Sequence, residues 1–207
     1  KNVIQCVLFN VVFVKKVLYC LILLIFLFFF IYEASSEKVA VFNVGITSGI
    51  PFYGDDSILA SNDVVNGGEI NRVLVGLSAD VSFNLATPIK LIAGSDLLAD
   101  FIWGGSSYSN HLDYSFFCGI KVYPNLFGFN TSIAYLLGSR TDFINNDMED
   151  SISSTAWGNG FRISVGYDFA YGRKNVFAPA LGVYYRCIPR GSDFWDNVLA
   201  AYISFSF

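Results

Sequence analysis

From residue 37 onward, apolar and polar residues alternate in eight segments whose two faces differ in kind. The clearest covers residues 72–84. Val73, Val75, Leu77, Ala79, Val81 and Phe83 share one face, and Gly76, Ser78, Asp80, Ser82 and Asn84 the other. A period of two marks a β-strand, because successive side chains leave opposite sides of the pleat. Residues 156–170 repeat the pattern, with Trp157, Phe161, Ile163, Val165, Tyr167 and Phe169 opposed to Gly158, Gly160, Arg162, Ser164, Gly166 and Asp168. Six further segments read the same way: about 38–50, 90–103, 111–123, 126–138, 176–187 and 197–207. Proline cannot donate to a ladder, so Pro179 predicts a bulge near the start of its strand.

Composition decides which face meets what. The chain is 54 % apolar and only 14 % charged, against roughly 25 % charged for a soluble domain. Such a chain needs a large core or an apolar solvent. Gly, Ser and Asn recur within the apolar segments, which argues against a soluble core. Asp80, Asp96, Asp100, Asp113, Lys121, Arg162, Asp168 and Arg186 all fall opposite the apolar faces. A Lys or Arg facing lipid at mid-bilayer costs about 2–4 kcal/mol, so this sorting fits apolar faces turned to lipid. The expected fold is all-β: an eight-stranded antiparallel up-and-down transmembrane β-barrel. Its interior is filled by side chains, and the named charges form a lumen polar network of ion pairs. A soluble lipocalin-like binding barrel, apolar within and charged without, is the architectural alternative.

Residues 14–36 have the form of a secretory signal-peptide helix: Lys15 and Lys16, an apolar run to Tyr32, then Ala34, Ser35 and Ser36 before a cleavage point at Glu37. That run is shorter than the ~20 residues of a membrane-spanning helix. Residues 1–13 fit neither part; a start at or near Val14, which makes them extra or untranslated N-terminal residues, or a truncated sequence accounts for them. The domains are thus 1–36, signal peptide, and 37–207, barrel. Cys6 and Cys20 fall in the first; Cys118 and Cys187 fall on strands that are not neighbours and read as small apolar residues without a disulfide.

Links of 51–70, 104–110, 139–154 and 188–196 are long, while those around Thr87-Pro88, Pro124-Asn125 and Gly172-Arg173-Lys174 are short. Long links then share one rim, made acidic by Asp55, Asp56, Asp63, Glu69, Asp142, Asp147, Glu149 and Asp150. Residues 145–150 match no calcium loop, and no metal or cofactor is expected. The net charge of −4 with scattered basic residues excludes nucleic acid. Interface aromatics are expected at Trp103, Tyr114, Tyr135, Trp157 and Tyr185 toward the long-link rim, and at Phe42, Phe83, Phe127, Tyr167, Phe177 and Phe205 toward the other.

The C-terminal segment Tyr202-Ile203-Ser204-Phe205-Ser206-Phe207 alternates and ends on an aromatic residue. With strands and turns, it makes residues 37–207 resemble small outer-membrane barrels of the OmpX, OmpW and OmpA barrel-domain type. The resemblance implies a monomer exported to the outer membrane of a diderm bacterium and bounded by its lipid. It also implies that Ile203, Phe205 and Phe207 form an assembly signal read by barrel-assembly machinery. The expected role is structural or surface-interaction, adhesin-like, with host or envelope ligands at the loops; the alternative is a narrow porin for small solutes. His111, with Asp113 and a nearby serine, is the one arrangement that could hold a nucleophile; a structural role fits it better, and no catalytic residue or enzyme activity is expected.

Overall fold

The computed structural model describes residues 40–66, 71–86, 88–105, 107–124, 127–146, 149–173, 177–191 and 194–207. The expected signal segment, with Cys6, Cys20 and the cleavage point at Glu37, lies outside the described residues. So do Thr87, Asn125, Lys174, Glu69 and Asp147 among the link residues named above.

The described elements are β1 (Ala40–Phe52), α1 (Asp56–Asn66), β2 (Asn71–Ala86), β3 (Ile89–Gly104), β4 (Ser107–Val122), β5 (Phe129–Asn146), β6 (Glu149–Ser154), β7 (Gly158–Asp168), β8 (Pro179–Arg190) and β9 (Phe194–Ser206). Each strand pairs antiparallel with its neighbour in the chain, except that β5 pairs both β6 and β7. The wall closes where β1 meets β9, from Asn43 opposite Ser206 to Phe52 opposite Asn197. β6 continues the line of β7. Thr141 pairs with Ser154 and Gly138 with Gly158, so the partner strand carries one extra residue between them. This bulge inverts the facing of side chains and keeps the wall intact. The result is a closed, eight-stranded barrel.

The eight alternating segments are all strands, and their apolar faces point outward. Leu77 is 55 % exposed, Phe116 59 % and Ile133 60 %, whereas Arg140 is fully buried and Arg186 1 % exposed. The lipocalin-like arrangement is therefore inverted in this molecule.

The connections differ from expectation. Of the links expected to be long, only β1–β2 is, and it folds into α1; the β7–β8 link, expected to be tight around Gly172-Arg173-Lys174, spans the ten residues 169–178. The links expected at 104–110 and 188–196 are tight turns, in which Gly105 (φ 60°) and Gly191 (φ 71°) adopt a conformation that residues with a Cβ rarely enter. The span 139–154 is a strand hairpin. The ladders simply continue: Tyr108, Ser109 and Asn110 pair with Asn145, Ile144 and Phe143. A strand such as β4, with 16 residues, runs ~53 Å, or ~37 Å along the axis at a 45° tilt, beyond the ~25 Å apolar band of a membrane barrel.

Pro179 produces no bulge. It occupies the first position of β8, in register with Phe205, where a missing donor costs least. A register shift falls instead between Asn84 and Ala86 on β2. Cys118, on β4, and Cys187, on β8, are thiols not joined in a disulfide.

Candidate functional site

The chemistry-bearing side chains gather in the barrel interior, in two halves. One half lies toward the rim that carries α1, the other toward the rim of the β2–β3, β4–β5 and β7–β8 turns.

In the helix-side half, guanidinium and carboxylate groups interlock. Arg72 holds Asp100 through Nε and Nη2 at 2.9 and 2.7 Å. Tyr53 donates to the same carboxylate at 2.7 Å. Burial, and then the Asp100 charge, push the Tyr53 phenol well above its ordinary range, which keeps it a donor. Arg140 donates from Nε to Asp142 at 2.7 Å and from Nη1 to Asp196. Arg190 reaches Asp196 at 3.0 Å and Asp113 at 2.5 Å, and Arg186 reaches Asp113 at 2.8 Å. Deeper, Arg162 clasps both oxygens of Asp96 at 3.0 and 2.7 Å and lies 4.1 Å from the Tyr184 ring centroid. Asp113 Oδ1, Asp196 Oδ1 and Arg190 Nη1 have no protein partner.

Of the eight charges expected in the lumen, Asp96, Asp100, Asp113 and Arg186 are buried, and Asp80, Lys121, Arg162 and Asp168 lie on inward positions, partly exposed. Sequence reasoning missed Arg72, Arg140, Asp142, Arg190 and Asp196. Asp142, expected on the acidic rim, is 2 % exposed and bonded inside. The interior is also less uniformly polar than expected. Leu74, Leu98, Tyr184, Val198 and Ala200 form one apolar cluster, and Ile92, Phe117, Ala134, Leu136 and Ile188 a second. These fill space between the ion pairs and lower the local polarity in which the pairs sit.

His111 does not pair with Asp113. Two residues apart on one strand is farther than the residue directly opposite on the next strand, and β5 places Asp142 there. His111 Nδ1 is 2.7 Å from Asp142 Oδ1, and Nε2 is 3.2 Å from Ser109 Oγ and 3.0 Å from Asn62 Oδ1. Ser109, His111 and Asp142 thus line up as a serine nucleophile's relay would. They are sealed, however: none is more than 2 % exposed, and the Ser109 hydroxyl donates to Asn62 at 2.7 Å.

α1 supplies that seal. Asp55 caps its start, accepting from the Ser57 amide at 2.9 Å. Ile58, Asn62 and Val65, all buried, line the face turned into the barrel mouth, and Asn62 joins it to His111 and Ser109. Asn62→Ala removes the buried acceptor of the Ser109 hydroxyl and is expected to cost about 1–3 kcal/mol. Hydrogen exchange should show faster exchange of α1 amides with the β-strand amides unchanged. Uniform loss of protection across the strands would contradict a local latch.

The expected interface aromatics Trp103, Trp157, Tyr135, Tyr167 and Tyr185 are exposed, and Tyr114 is half-buried against Trp157 at 5.4 Å. At the turn-side rim Phe177 stacks on Phe205 at 5.1 Å and lies 5.7 Å from Phe207, whose amide donates to Phe42 O at 2.8 Å. Ile203 lies next to them on β9. In the β5–β6 hairpin, Asn145 donates to Asp150; among the described residues no group of three or more His, Cys, Asp or Glu could hold a metal.

No family model matches the sequence, and no curated protein does. Among solved structures, Ail, the attachment invasion locus protein of Yersinia pestis, in complex with the heparin analogue sucrose octasulfate, is similar with a TM-score of 0.53 at 9 % identity, covering 81 % of this chain and 97 % of that one. A second Ail structure gives 0.51 at 9 % identity, covering 81 % and 97 %. Neisserial surface protein A gives 0.48 at 12 % identity, covering 82 % and 98 %. At these identities the likeness is one of fold, and the chain has the closed eight-stranded antiparallel barrel fold of small outer-membrane proteins.

Proposed function

We propose that this chain is an outer-membrane β-barrel of a diderm bacterium, exported by its signal peptide, with a structural or surface-interaction role at its helix-side rim. The observation that carries this is the distribution of polarity. A belt of exposed Val, Ile, Leu and Phe surrounds the barrel, and Arg140, Arg186 and Arg190 are buried inside it. Water would penalise that belt, and hydrocarbon would penalise the arginines anywhere else. The partners are outer-membrane lipid along the wall, barrel-assembly machinery at Ile203, Phe205 and Phe207, and host or envelope ligands at the rim; the barrel acts as a monomer without catalysis.

The orientation that fits is helix-side outward, turns toward the periplasm. The outward rim then exposes Asp56 and Asp150. Ail is seen in complex with a heparin analogue; an acidic rim favours cationic or neutral ligands here over such a polyanion. The narrow-porin alternative requires a path through the layer where Arg140 and Arg190 converge on Asp196, and moving either guanidinium takes one ion-pair partner from each of two buried carboxylates.

Membrane extraction and planar-bilayer recording test this reading together. The protein should require detergent, migrate differently on gels before and after heating, and give no stable conductance. Release into plain buffer would overturn the membrane assignment, and steady openings would overturn the sealed lumen.

A further inference from the structure

We propose that the turn-side half of the lumen is a binding site for a small oxyanion of the phosphate class, held between Lys90 and Lys121. The strand registers carry the inference. Asn84 pairs with Lys90, Lys90 with Lys121, Lys121 with Ser132 and Ser132 with Ser164. All five occupy inward positions, so β2, β3, β4, β5 and β7 present one continuous row of hydrogen-bonding side chains. The row contains two ammonium groups and no carboxylate.

Like charges directly opposite one another on neighbouring strands repel. Elsewhere in the lumen such crowding is answered by bonded carboxylates: Arg72, Arg140, Arg162, Arg186 and Arg190 each contact an aspartate. Among the described residues, neither Lys90 nor Lys121 forms an ion pair or a hydrogen bond. The two nearby carboxylates are engaged with the wall. Asp80 accepts from Asn43 at 2.7 Å, and Asp168 accepts from Tyr123 at 3.2 Å and from the Ala170 amide at 2.9 Å. They offset the charge of the two lysines without taking the ammonium donors, three on each lysine.

The surroundings suit a compact, acceptor-rich guest. Ser132 and Ser164, their hydroxyls 2.6 Å apart, continue the row with small side chains. At the rim, Tyr123 and Tyr171 stack at 4.1 Å, and Lys90 Nζ lies 5.0 Å from the Tyr123 ring centroid. The Lys90 ammonium lies over both rings, 5.9 Å from the Tyr171 centroid, a contact that leaves its N–H donors available. Phosphate oxygens can accept from both lysines at once, which turns a repulsive pair into a bridged one. The guest could be free phosphate or the headgroup of a lipid that reaches the rim. The proposal rests on barrel geometry alone and needs no membrane orientation, so its failure leaves the outer-membrane reading standing.

Phosphorus NMR of the full barrel in maltoside micelles tests it, with two probes: inorganic phosphate, and a short-chain phosphatidic acid below its own micelle concentration, each against chloride at equal ionic strength. Broadening of either resonance is expected, and which probe broadens identifies the source. Lys121→Gln should weaken binding about tenfold or more, and Lys90→Gln similarly, while Lys121→Arg retains it and Asp56→Asn, at the opposite rim, changes nothing. Heat-modifiable migration verifies that each variant is folded, and should Lys121→Gln not fold, Lys90→Gln against wild type carries the comparison. Absence of broadening with both probes overturns the proposal. So does equal broadening in folded lysine-to-glutamine variants, which would mean an adventitious ion only.

Discussion

Replacing Arg140 with alanine is expected to destabilise the barrel by about 3–5 kcal/mol, the usual loss when one partner of a buried ion pair is removed. Arg140 is fully buried and joins two carboxylates, Asp142 and Asp196, that are themselves 2 and 3 % exposed. Without it Asp142 keeps only His111, and Asp196 keeps only Arg190. Two anions then share a volume that water does not reach. The Tyr53 ring, 4.7 Å from the guanidinium, also loses its cation. Reversible urea unfolding in micelles, followed by tryptophan fluorescence, gives the difference directly. Exposed Asp56, changed to asparagine, should move the midpoint negligibly. A loss below about 1 kcal/mol for Arg140→Ala would mean that water enters the lumen and solvates the stranded carboxylates.

Leu77→Arg separates a membrane wall from a watery one. Leu77 sits midway along β2, between Ile46 of β1 and Leu97 of β3, and all three side chains are exposed. In hydrocarbon, arginine there is expected to cost about 2–4 kcal/mol relative to leucine. At an exposed site in water the same change falls within about 0.5 kcal/mol. Folding into phospholipid vesicles across a urea series measures which applies. A near-zero value would show that this face does not contact the bilayer interior.

The facing of residues 72–84 was legible because both sides of β2 differ sharply there: Val75 and Leu77 outside, Gly76 and Ser78 inside. The same contrast fails near the helix-side rim. Toward that rim the outward positions turn polar, as at Thr141 and Asn145, so the two faces look alike and the pattern of the strands fades early. Arg140 and Asp142 keep the inward parity of Ser132 and Ala134, and Arg190 that of Tyr184 and Arg186. Extending each ladder by that parity would have placed them. α1 was obscured differently. Its buried positions Ile58, Asn62 and Val65 follow helical spacing, but one of the three is polar because its partner is His111 rather than an apolar core. Asp142 could not be matched to His111 from spacing within one strand, since the register between β4 and β5 sets that neighbour.

The seam between β1 and β9 has a consequence for how such a wall can be built. Every intermediate number of strands leaves two raw edges, and in hydrocarbon a bare amide or carbonyl has nothing to bond to. The first strand is completed only by the last, Val44 meeting Phe205 and Ile50 meeting Leu199. Hairpin-by-hairpin deposition into lipid is therefore uphill until the ribbon is gathered whole. On the proposed outer-membrane reading, insertion is then a single concerted event, or proceeds against a surface that lends a temporary edge.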